Sequence, residues 1–267
     1  MNRNNNAETC KNVNVMLAAS RKDALLDRLR REGRLVVKDV AVELGLSEDS
    51  IRRDLRELDA AGLAVRVYGG ALPASPAVAD YFARVDVARS SKARVAEAAV
   101  ALIEPGATVL LDGGTTTRAM VDALPRSFSG TVITHSPTIA AALLHHDAEV
   151  IVLGGRVFKH SAVACGAAAM EAAQSIGADL FFLGVTGVHP EAGLSTGDAE
   201  EAAMKRALAA RASETYVLAS EEKLGAASRF GILPLDGVTG IIADLDLEAA
   251  VAGELRAAGA RLLPASS

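Results

Sequence analysis

Short apolar runs that alternate with helical patterns constrain the fold of most of this chain. Runs without polar alternation predict strands that are buried on both faces, and the helical stretches between them predict crossovers that cover those faces. An α/β domain built on a mostly parallel sheet is therefore expected. The predicted strands cover residues 108–111, 132–134, 150–153, 180–185, 216–219 and 240–243, and the predicted helices lie around residues 91–102, 118–124, 137–145, 167–176, 198–212 and 247–258.

The loop after the first predicted strand has the composition of an anion-binding site. It leads directly into a helix, and its residues are Asp112, Gly113, Gly114, Thr115, Thr116 and Thr117. Glycines let the backbone approach a ligand closely, threonine hydroxyls donate hydrogen bonds, and a helix N-terminus presents free N–H groups to negative charge. The loop lacks the Gly-Lys-Ser/Thr ending of a P-loop and the spacing of a dinucleotide fingerprint, so no cofactor is predicted. The alternative is a tight turn with a threonine cap.

Further candidate residues follow the other predicted strands. Ligands of open parallel sheets bind where loops leave the carboxyl ends of the strands. These ends supply His135 and Ser136, Gly154 and Gly155, and Lys223. His135 has two interpretations, a general base or a hydrogen-bonding structural residue. Lys223 is predicted to bind a phosphate or a carboxylate.

A helix with two contrasting faces is predicted from Ser47 to Leu58. At 100° per residue, three apolar residues fall within about 60° of one another, and three arginines lie at roughly 100°, 140° and 200° from the first of them. The apolar stripe consists of Ile51, Leu55 and Leu58, and the basic arc of Arg52, Arg56 and Arg53. One face is suited to a core and the other to an anion, although a solvated surface is the alternative for the arginines.

The neighbouring elements place this helix in a winged helix-turn-helix. A helix beginning near Ser20 and a second helix closed by Gly45 precede it, and a strand that turns at Gly69-Gly70 follows it. Such a fold presents the helix that follows the turn, here the arginine-bearing helix from Ser47 to Leu58, to the major groove of DNA. The predicted DNA contacts are Ser50, Arg52, Arg53, Arg56 and Arg66.

Four segments follow from these patterns. Residues 1–19, rich in asparagine, are predicted to be a disordered tail and not a signal peptide. Residues 20–73 form the predicted winged helix-turn-helix, residues 74–90 a proline-interrupted linker, and residues 91–267 the α/β domain. Two isolated cysteines, Cys10 and Cys165, and the absence of an apolar run near the ~20 residues of a membrane span favour a cytoplasmic protein.

Charge is divided unevenly between these segments. Residues 1–72 hold 13 Lys and Arg against 11 Asp and Glu, a net charge of +2, whereas residues 73–267 carry −7. The second domain is thus not suited to lie on phosphates. Binding to DNA depends on where the arginines of the first domain are placed.

The whole pattern resembles the DeoR family of bacterial transcriptional regulators. The N-terminal resemblance, over residues 21–73, rests on Val40-Ala41, Leu44, Ser47, the run Ser50-Ile51-Arg52-Arg53-Asp54-Leu55, Leu58, Gly62 and Gly69-Gly70-Ala71. The C-terminal resemblance, over about residues 92–244, rests on Asp112-Gly113-Gly114-Thr115-Thr116, Leu153-Gly154-Gly155, Gly166, Gly193-Leu194-Ser195, and Lys223 followed by Gly225.

The resemblance implies a sensor domain similar in fold to ribose-5-phosphate isomerase. It further implies a phosphorylated sugar or related effector, held by the Gly-Gly-Thr-Thr loop and Lys223, that controls binding to operator DNA. A repressor of a carbohydrate or related catabolic operon is therefore expected. Because one winged module reads a short site, a homo-oligomer, dimer or tetramer, is expected on repeated half-sites.

A sugar-phosphate isomerase carrying a DNA-binding module is the alternative function. It requires a general base near a sugar carbon. The candidate bases are Glu200, Glu201 and Asp112. Lys205, on the same charged helix as Glu200 and Glu201, is predicted to be solvated and paired locally.

Overall fold

The chain forms two compact units, Met1–Ala74 and Ser75–Ser267. A computed structural model describes the backbone of residues 5–265 and the side chains of residues 19–265 apart from Val78. Within residues 5–265, none of the helices combines the length and the apolar character that a membrane crossing requires.

The described residues of the first unit form three helices and a small antiparallel sheet. Its elements are α1 (Asn5–Glu32), β1 (Leu35–Val36), α2 (Val37–Leu44), α3 (Glu48–Ala60), β2 (Ala64–Val67) and β3 (Gly70–Pro73). The strands are ordered β1-β3-β2, and Val67 pairs with Gly70 across the turn that joins β2 to β3. The predicted winged helix-turn-helix is confirmed, with β2 and β3 as its wing.

Apolar residues at helical spacing form the core of the first unit. Leu25 and Leu29 of α1, Val40 of α2, and Ile51 and Leu55 of α3 are each at most 2% exposed. They belong to one cluster, so all three helices contribute to the same core. This packing turns the apolar stripe of α3 inward, as its periodicity predicts.

The turn between α2 and α3 is fixed by local chemistry. Gly45 ends α2 with a φ of 63°, a left-handed conformation that favours glycine. Ser47 then caps α3, because its Oγ accepts a hydrogen bond from the backbone N–H of Ser50 at 3.3 Å. Glu48 and Asp49 lie in the first turn of α3, where the helix dipole favours negative charge.

The first part of α1 falls within residues 1–19, the segment predicted to be a disordered tail. Residues 1–4 of that segment lie outside the described residues. From Asn5 onward the backbone belongs to α1, so the helix starts well before the capping pattern at Ser20. The physical reason is that no glycine or proline precedes Gly33, and alanine, leucine, methionine, lysine and glutamate, which favour helices, recur among residues 7–19.

The second unit is built on a seven-stranded parallel sheet. Its strands are ordered β15-β14-β12-β9-β4-β5-β6, and every neighbouring pair is parallel. The strands are β4 (Thr108–Leu111), β5 (Thr131–Thr134), β6 (Glu149–Val152), β9 (Ala178–Gly184), β12 (Ala212–Ala219), β14 (Gly240–Ala243) and β15 (Leu262–Pro264). The predicted α/β fold is confirmed.

Helices cover both faces of this sheet. They are α4 (Arg89–Val100), α5 (Thr115–Ala123), α6 (Pro137–Leu143), α7 (Ala167–Gln174), α8 (Ala199–Ala209) and α9 (Ala250–Ala257). Leu110 and Phe181 belong to the core on one face, while Leu111 and Phe182 belong to the core on the other. The central strands therefore bury successive side chains on opposite faces, which explains their continuous apolar sequence.

Two short antiparallel assemblies accompany the parallel sheet. One is the hairpin of β7 (Arg156–Phe158) and β8 (Val163–Cys165), and the other orders β10 (Gly187–His189), β11 (Gly193–Thr196) and β13 (Phe230–Gly231) side by side. Most of these short strands lack the continuous apolar runs by which the strands of the parallel sheet are predicted from the sequence.

The segment predicted as a linker, residues 74–90, packs on the second unit over most of its length. The backbone N–H of Ser75 donates to the carbonyl of Ala227 at 3.2 Å, and that of Tyr81 to the carbonyl of His160 at 2.8 Å. Ala77 and Tyr81 are at most 5% exposed. Phe82 and Val85 of the same segment are exposed. The segment is thus held on the second unit by the buried Ala77 and Tyr81 and by these backbone hydrogen bonds.

Candidate functional site

The basic face of α3 is exposed as its periodicity predicts. Arg52, Arg53 and Arg56 all project into solvent, opposite the buried Ile51 and Leu55. Among the described residues, Arg53 and Arg56 form no ion pair. Their guanidinium groups are therefore available to an external anion.

Arg52 differs from its two neighbours because it is engaged within its own helix. Its guanidinium lies 2.5 Å from Glu48 and 3.2 Å from Asp49. Exposed pairs of this kind contribute little to stability, so a phosphate can displace them at small cost. Arg52 is thus partly neutralised before any ligand is bound.

The remaining predicted DNA contacts lie on either side of this face. The hydroxyl of Ser50 is half-buried and lies 3.0 Å from that of Ser47 at the start of α3. Arg66 is exposed on β2, and the fully exposed Tyr68 follows it at the tip of the wing. Tyr68 was not among the predicted DNA contacts, although its position directly before Gly69 in the predicted turn indicates an exposed side chain.

A buried pair attaches α1 to the basic helix. Two nitrogens of the Arg21 guanidinium donate to the carboxylate of Asp54, Nη2 to Oδ1 at 3.0 Å and Nε to Oδ2. Asp54 is only 2% exposed although it lies in the middle of the arginine run. The carboxylate therefore anchors the buried face of α3 to α1 and leaves the three arginines on the exposed face.

A cleft lies at the carboxyl ends of the central strands of the second unit. The strand ends meet there because the strands are parallel, as the sheet topology requires. Six residues predicted from the sequence line this cleft: Gly113, Gly114, Thr115, Thr116, Thr117 and Lys223. Eight of its lining residues were not among the predicted effector ligands: Arg84, Ser161, Gly184, Val185, Thr186, Thr196, Glu201 and Lys205.

The glycine-threonine loop presents a helix N-terminus to the cleft. α5 begins at Thr115, and Gly114 precedes it with a φ of 122°, which a residue with a side chain rarely adopts. A Cβ on Gly113 would lie 2.0 Å from the Val163 side chain. Glycine is thus required at both positions for the backbone to expose the first N–H groups of α5 to a ligand.

Asp112 lies beneath the cleft and does not line it. Its Oδ1 accepts the backbone N–H of Gly113 and lies 2.8 Å from Nε2 of His135, while its Oδ2 accepts from the backbone N–H of Gly184 and from Lys205. Burial raises the pKa of Asp112, but the charge of Lys205 and the hydrogen bond with His135 outweigh burial and lower the pKa to about 2. This carboxylate supports the loop from below.

Lys205 is buried, and the prediction that it is solvated is wrong. It is 2% exposed, and its Nζ lies 2.5 Å from Asp112, 2.9 Å from the carbonyl of Gly184 and 3.3 Å from Glu201. Burial lowers the pKa of Lys205, but the two carboxylates outweigh burial and raise it. Lys205 shares the inner face of α8 with Leu208, so its periodicity places it in the interior despite its charge.

Lys223 is a buried cation of the cleft, and no carboxylate among the described residues lies within hydrogen-bonding distance of it. Its Nζ donates to Thr116 Oγ1 at 2.8 Å and to the carbonyl of Leu218 at 3.2 Å. Burial lowers the pKa of Lys223, and repulsion from Lys92 lowers it further. The negative charge of Glu222 raises it only in part, so that the pKa is about 7. An anion that enters the cleft supplies the missing counter-charge.

Four other predicted ligand residues do not line the cleft. His135 is fully buried and lies 2.9 Å from the carbonyl of Ala164 and 2.8 Å from Asp112, which favours the structural interpretation. Ser136 is also buried and donates to the carbonyl of Ala162. Gly154 and Gly155 follow β6 near the edge of the sheet, away from the central strands whose ends form the cleft.

The carboxylates proposed as catalytic bases are occupied by other groups. Glu201 accepts hydrogen bonds from Ser161 at 3.1 Å and Thr196 at 2.9 Å. Glu200 is exposed and pairs with Arg156 at 2.7 Å. The third candidate base, Asp112, is the carboxylate beneath the loop. This arrangement is suited to holding a polar anion and does not present a free base to it.

Comparisons with known proteins agree for both units. Residues 21–76 match the family model of the DeoR-like helix-turn-helix domain, and residues 88–245 match that of the DeoR C terminal sensor domain. The putative aga operon transcriptional repressor of Escherichia coli O157:H7 is 32% identical over 92% of this chain and 93% of its own length.

Two further proteins extend the comparison. The glycerol-3-phosphate regulon repressor of Escherichia coli strain K12 is 26% identical, over 79% of this chain and 84% of its own length. The solved structure of the full-length sorbitol operon regulator SorC from Klebsiella pneumoniae has 13% identity and a TM-score of 0.41, covering 90% of this chain and 98% of that one.

The family models and the curated relatives account for the winged helix-turn-helix and for the domain that follows it. They identify a regulator and not an enzyme. The chain belongs to the DeoR family of DNA-binding transcriptional regulators.

Proposed function

We propose that this protein acts in the cytoplasm as a repressor of a carbohydrate or related catabolic operon and is released from operator DNA by a phosphorylated sugar-type effector. The observation that carries the proposal is the cleft that joins the N-terminus of α5 to the buried cation of Lys223, on the same chain as an exposed arginine face. The relatives named above as repressors of the aga operon and the glycerol-3-phosphate regulon support it.

On the DNA side, the exposed face of α3 enters the major groove. Ser50 and Arg53 contact base edges, while Arg52, Arg56 and Arg66 divide their contacts between bases and phosphates. An arginine that binds guanine through two hydrogen bonds contributes ~1–3 kcal/mol of discrimination. Arg53 is suited to such a contact because, like Arg56 and unlike Arg52, it is exposed and forms no ion pair among the described residues.

On the effector side, the phosphate occupies the cation-rich part of the cleft. The N–H groups that open α5, the hydroxyl of Thr116 and the ammonium of Lys223 provide donors for its oxygens. The hydroxyls of Thr186 and Ser161, which also line the cleft, suit the hydroxyl groups of a sugar or polyol. Asp112, His135 and the residues near them support this site from beneath.

The assembly we propose is a homo-oligomer. A single winged module reads only a short site, and paired modules on repeated half-sites supply the remaining specificity. The effector then favours an arrangement of subunits that does not fit the operator. A coupling of ~1–3 kcal/mol gives a roughly 5- to 150-fold loss of operator affinity.

The test uses the full-length protein with an operator selected from random-sequence double-stranded DNA. Sugar monophosphates and glycerol 3-phosphate are added to the complex, and operator affinity is measured by a mobility-shift titration. At least one phosphorylated compound is expected to weaken the complex about 5-fold or more, while its dephosphorylated counterpart has no effect. Equal operator affinity with and without every phosphorylated compound would contradict the switching mechanism.

A further inference from the structure

Arg84 is a largely buried cation in the cleft, and it has no carboxylate partner within the described part of the chain. Its Nε donates to the carbonyl of Asp80 at 3.3 Å and its Nη2 to that of His160 at 3.4 Å, and both are long contacts to neutral groups. Burial lowers the pKa of Arg84, and the nearby charge of Glu201 only opposes that effect. The oxygens of Glu201 are occupied by other donors, so they do not neutralise the guanidinium.

A second buried cation holds the backbone of Arg84 in place. Lys92, 3% exposed, donates from Nζ to the carbonyl of Arg84 at 2.6 Å. This contact fixes the chain at Arg84 but does not neutralise its guanidinium. Lys205 also lines the cleft, but it is paired with Asp112 and Glu201. Three cations of the cleft and its wall, Arg84, Lys92 and Lys223, have no ion pair among the described residues, and the charge of Glu222 acts on each of them. Charge balance favours the entry of an anion.

Arg84 lies in the segment that leads from the first unit into the second. The segment comprises residues 75–88 and continues directly from the first unit at its last residue, Ala74. This segment is attached to the second unit through Ser75 and Tyr81, whose backbone N–H groups donate to Ala227 and His160. The carbonyl of His160 accepts a hydrogen bond from the Arg84 guanidinium as well as from the backbone N–H of Tyr81.

We propose that Arg84 binds the anionic group of the effector together with Lys223 and the Gly113–Thr117 loop, and that this contact transmits occupancy of the cleft to the segment of residues 75–88. The inference rests on the proposed function, because it takes the phosphorylated effector as the ligand of this cleft. The contact draws the guanidinium from its long bonds to neutral carbonyls toward a charged partner. The effector therefore binds more tightly to the arrangement of the segment in which Arg84 reaches the anion than to the one in which Arg84 contacts the carbonyls. Such a difference in affinity is what shifts the population toward the first arrangement.

The first test compares anion binding by full-length variants. Arg84→Gln is expected to weaken the binding of inorganic phosphate on the order of 10-fold or more, measured by calorimetry, because a charge-assisted hydrogen bond is removed. Arg84→Lys is expected to recover part of the affinity. Arg89→Gln removes the same charge from an exposed position that does not line the cleft, so it is expected to bind as the wild type does.

The second test follows the segment itself by hydrogen–deuterium exchange. Saturating phosphate is expected to slow the exchange of amides in residues 75–88 in the wild type and in Arg89→Gln. In Arg84→Gln, at phosphate concentrations high enough to fill the cleft, exchange of that segment is expected to stay at the ligand-free rate. If Arg84 had only a structural role, a filled cleft would slow amide exchange in residues 75–88 of Arg84→Gln as it does in the wild type.

The outcomes distinguish this inference from the proposed function. If the wild type binds phosphate or a sugar monophosphate and Arg84→Gln binds it equally well, or if occupancy protects the segment equally in both, the inference is overturned while the proposed function stands. If the wild type binds neither phosphate nor any sugar monophosphate, the proposed function fails, and the inference fails with it.

Discussion

Asp112 and Lys205 are 93 residues apart in the sequence and form a buried ion pair at the base of the cleft, with Lys205 Nζ 2.5 Å from Asp112 Oδ2. The pair joins the loop after β4 to α8. Because Asp112 also accepts the backbone N–H of Gly113, the pair holds the start of the glycine-threonine loop. A buried ion pair therefore supports the cleft, and both of its side chains are at most 3% exposed.

Breaking this pair is expected to cost much of the stability of the second unit. Lys205→Met leaves the Asp112 carboxylate buried and uncompensated, for which a loss of ~3–5 kcal/mol is expected. The free energy of unfolding from urea titration measures it. Arg156→Met, which breaks the exposed pair with Glu200, is the matched control and is expected to have only a small effect. Equal losses in the two variants would contradict this role of Lys205.

The same pair predicts how stability depends on acid. The folded-state pKa of Asp112, about 2, lies below its ordinary value of 3.8, so this carboxylate stabilises the fold above about pH 4, and the contribution is lost as the pH falls through about 2. The difference in unfolding free energy between the wild type and Asp112→Asn should be constant near neutrality and shrink below about pH 4. Denaturant titrations at successive pH values test this, and a difference independent of pH would refute it.

Anion binding is expected to weaken as the pH rises through the pKa of Lys223. That pKa is about 7, chiefly because the ammonium is buried, and an anion favours the protonated form. Inorganic sulfate is the appropriate probe because it does not titrate near neutrality. Its affinity should be about 10-fold lower at pH 8 than at pH 6, the ratio of the protonated fractions.

Lys223→Met provides the control for this pH profile. The variant is expected to bind sulfate more weakly than the wild type at pH 6, with little further change up to pH 8. Calorimetric titration at both pH values gives the comparison. A wild-type affinity that is the same at pH 6 and pH 8 would show that Lys223 does not neutralise the bound anion.

The pair of Arg21 and Asp54 is expected to govern the placement of α3. Asp54→Ala removes a carboxylate that is 2% exposed and leaves the Arg21 guanidinium half-enclosed without this partner. A destabilisation of the first unit by ~2–4 kcal/mol is expected, together with weaker operator binding. Glu57→Ala removes the exposed partner of Lys22 and is the control. Operator affinity and unfolding should both change more in Asp54→Ala, and an equal response would contradict the role of this pair.

Sequence periodicity predicts the elements whose side chains face one consistent environment. The stripe of Ile51, Leu55 and Leu58 places the arginines of α3 outward, and the continuous apolar run at residues 108–111 places β4 inside a parallel sheet. In both cases a local repeat determines which side is buried. The loop after β4 follows from the same repeat, since its glycines and threonines come where a buried strand ends.

The parts that the sequence does not predict depend on contacts between distant residues. Lys205 is charged and lies on a polar-looking helix, yet Asp112, far earlier in the chain, compensates its burial. The spacing of Glu201, Lys205 and Leu208 along one face of α8 was the available signal. Arg84 offers no such signal, because it lies in an irregular segment whose anchor, His160, belongs to another part of the chain.

The most direct measurement of the central claim is operator binding by Arg53→Ala/Arg56→Ala across a range of salt. We expect operator affinity to fall about 10-fold or more, and the dependence of log affinity on log salt to become shallower by about 1 for each phosphate that the variant no longer neutralises. Arg30→Ala/Arg31→Ala removes two exposed arginines of the same unit and is expected to keep the wild-type response. Wild-type affinity and salt dependence in Arg53→Ala/Arg56→Ala, with the fold intact, would contradict the claim that this face of α3 binds DNA.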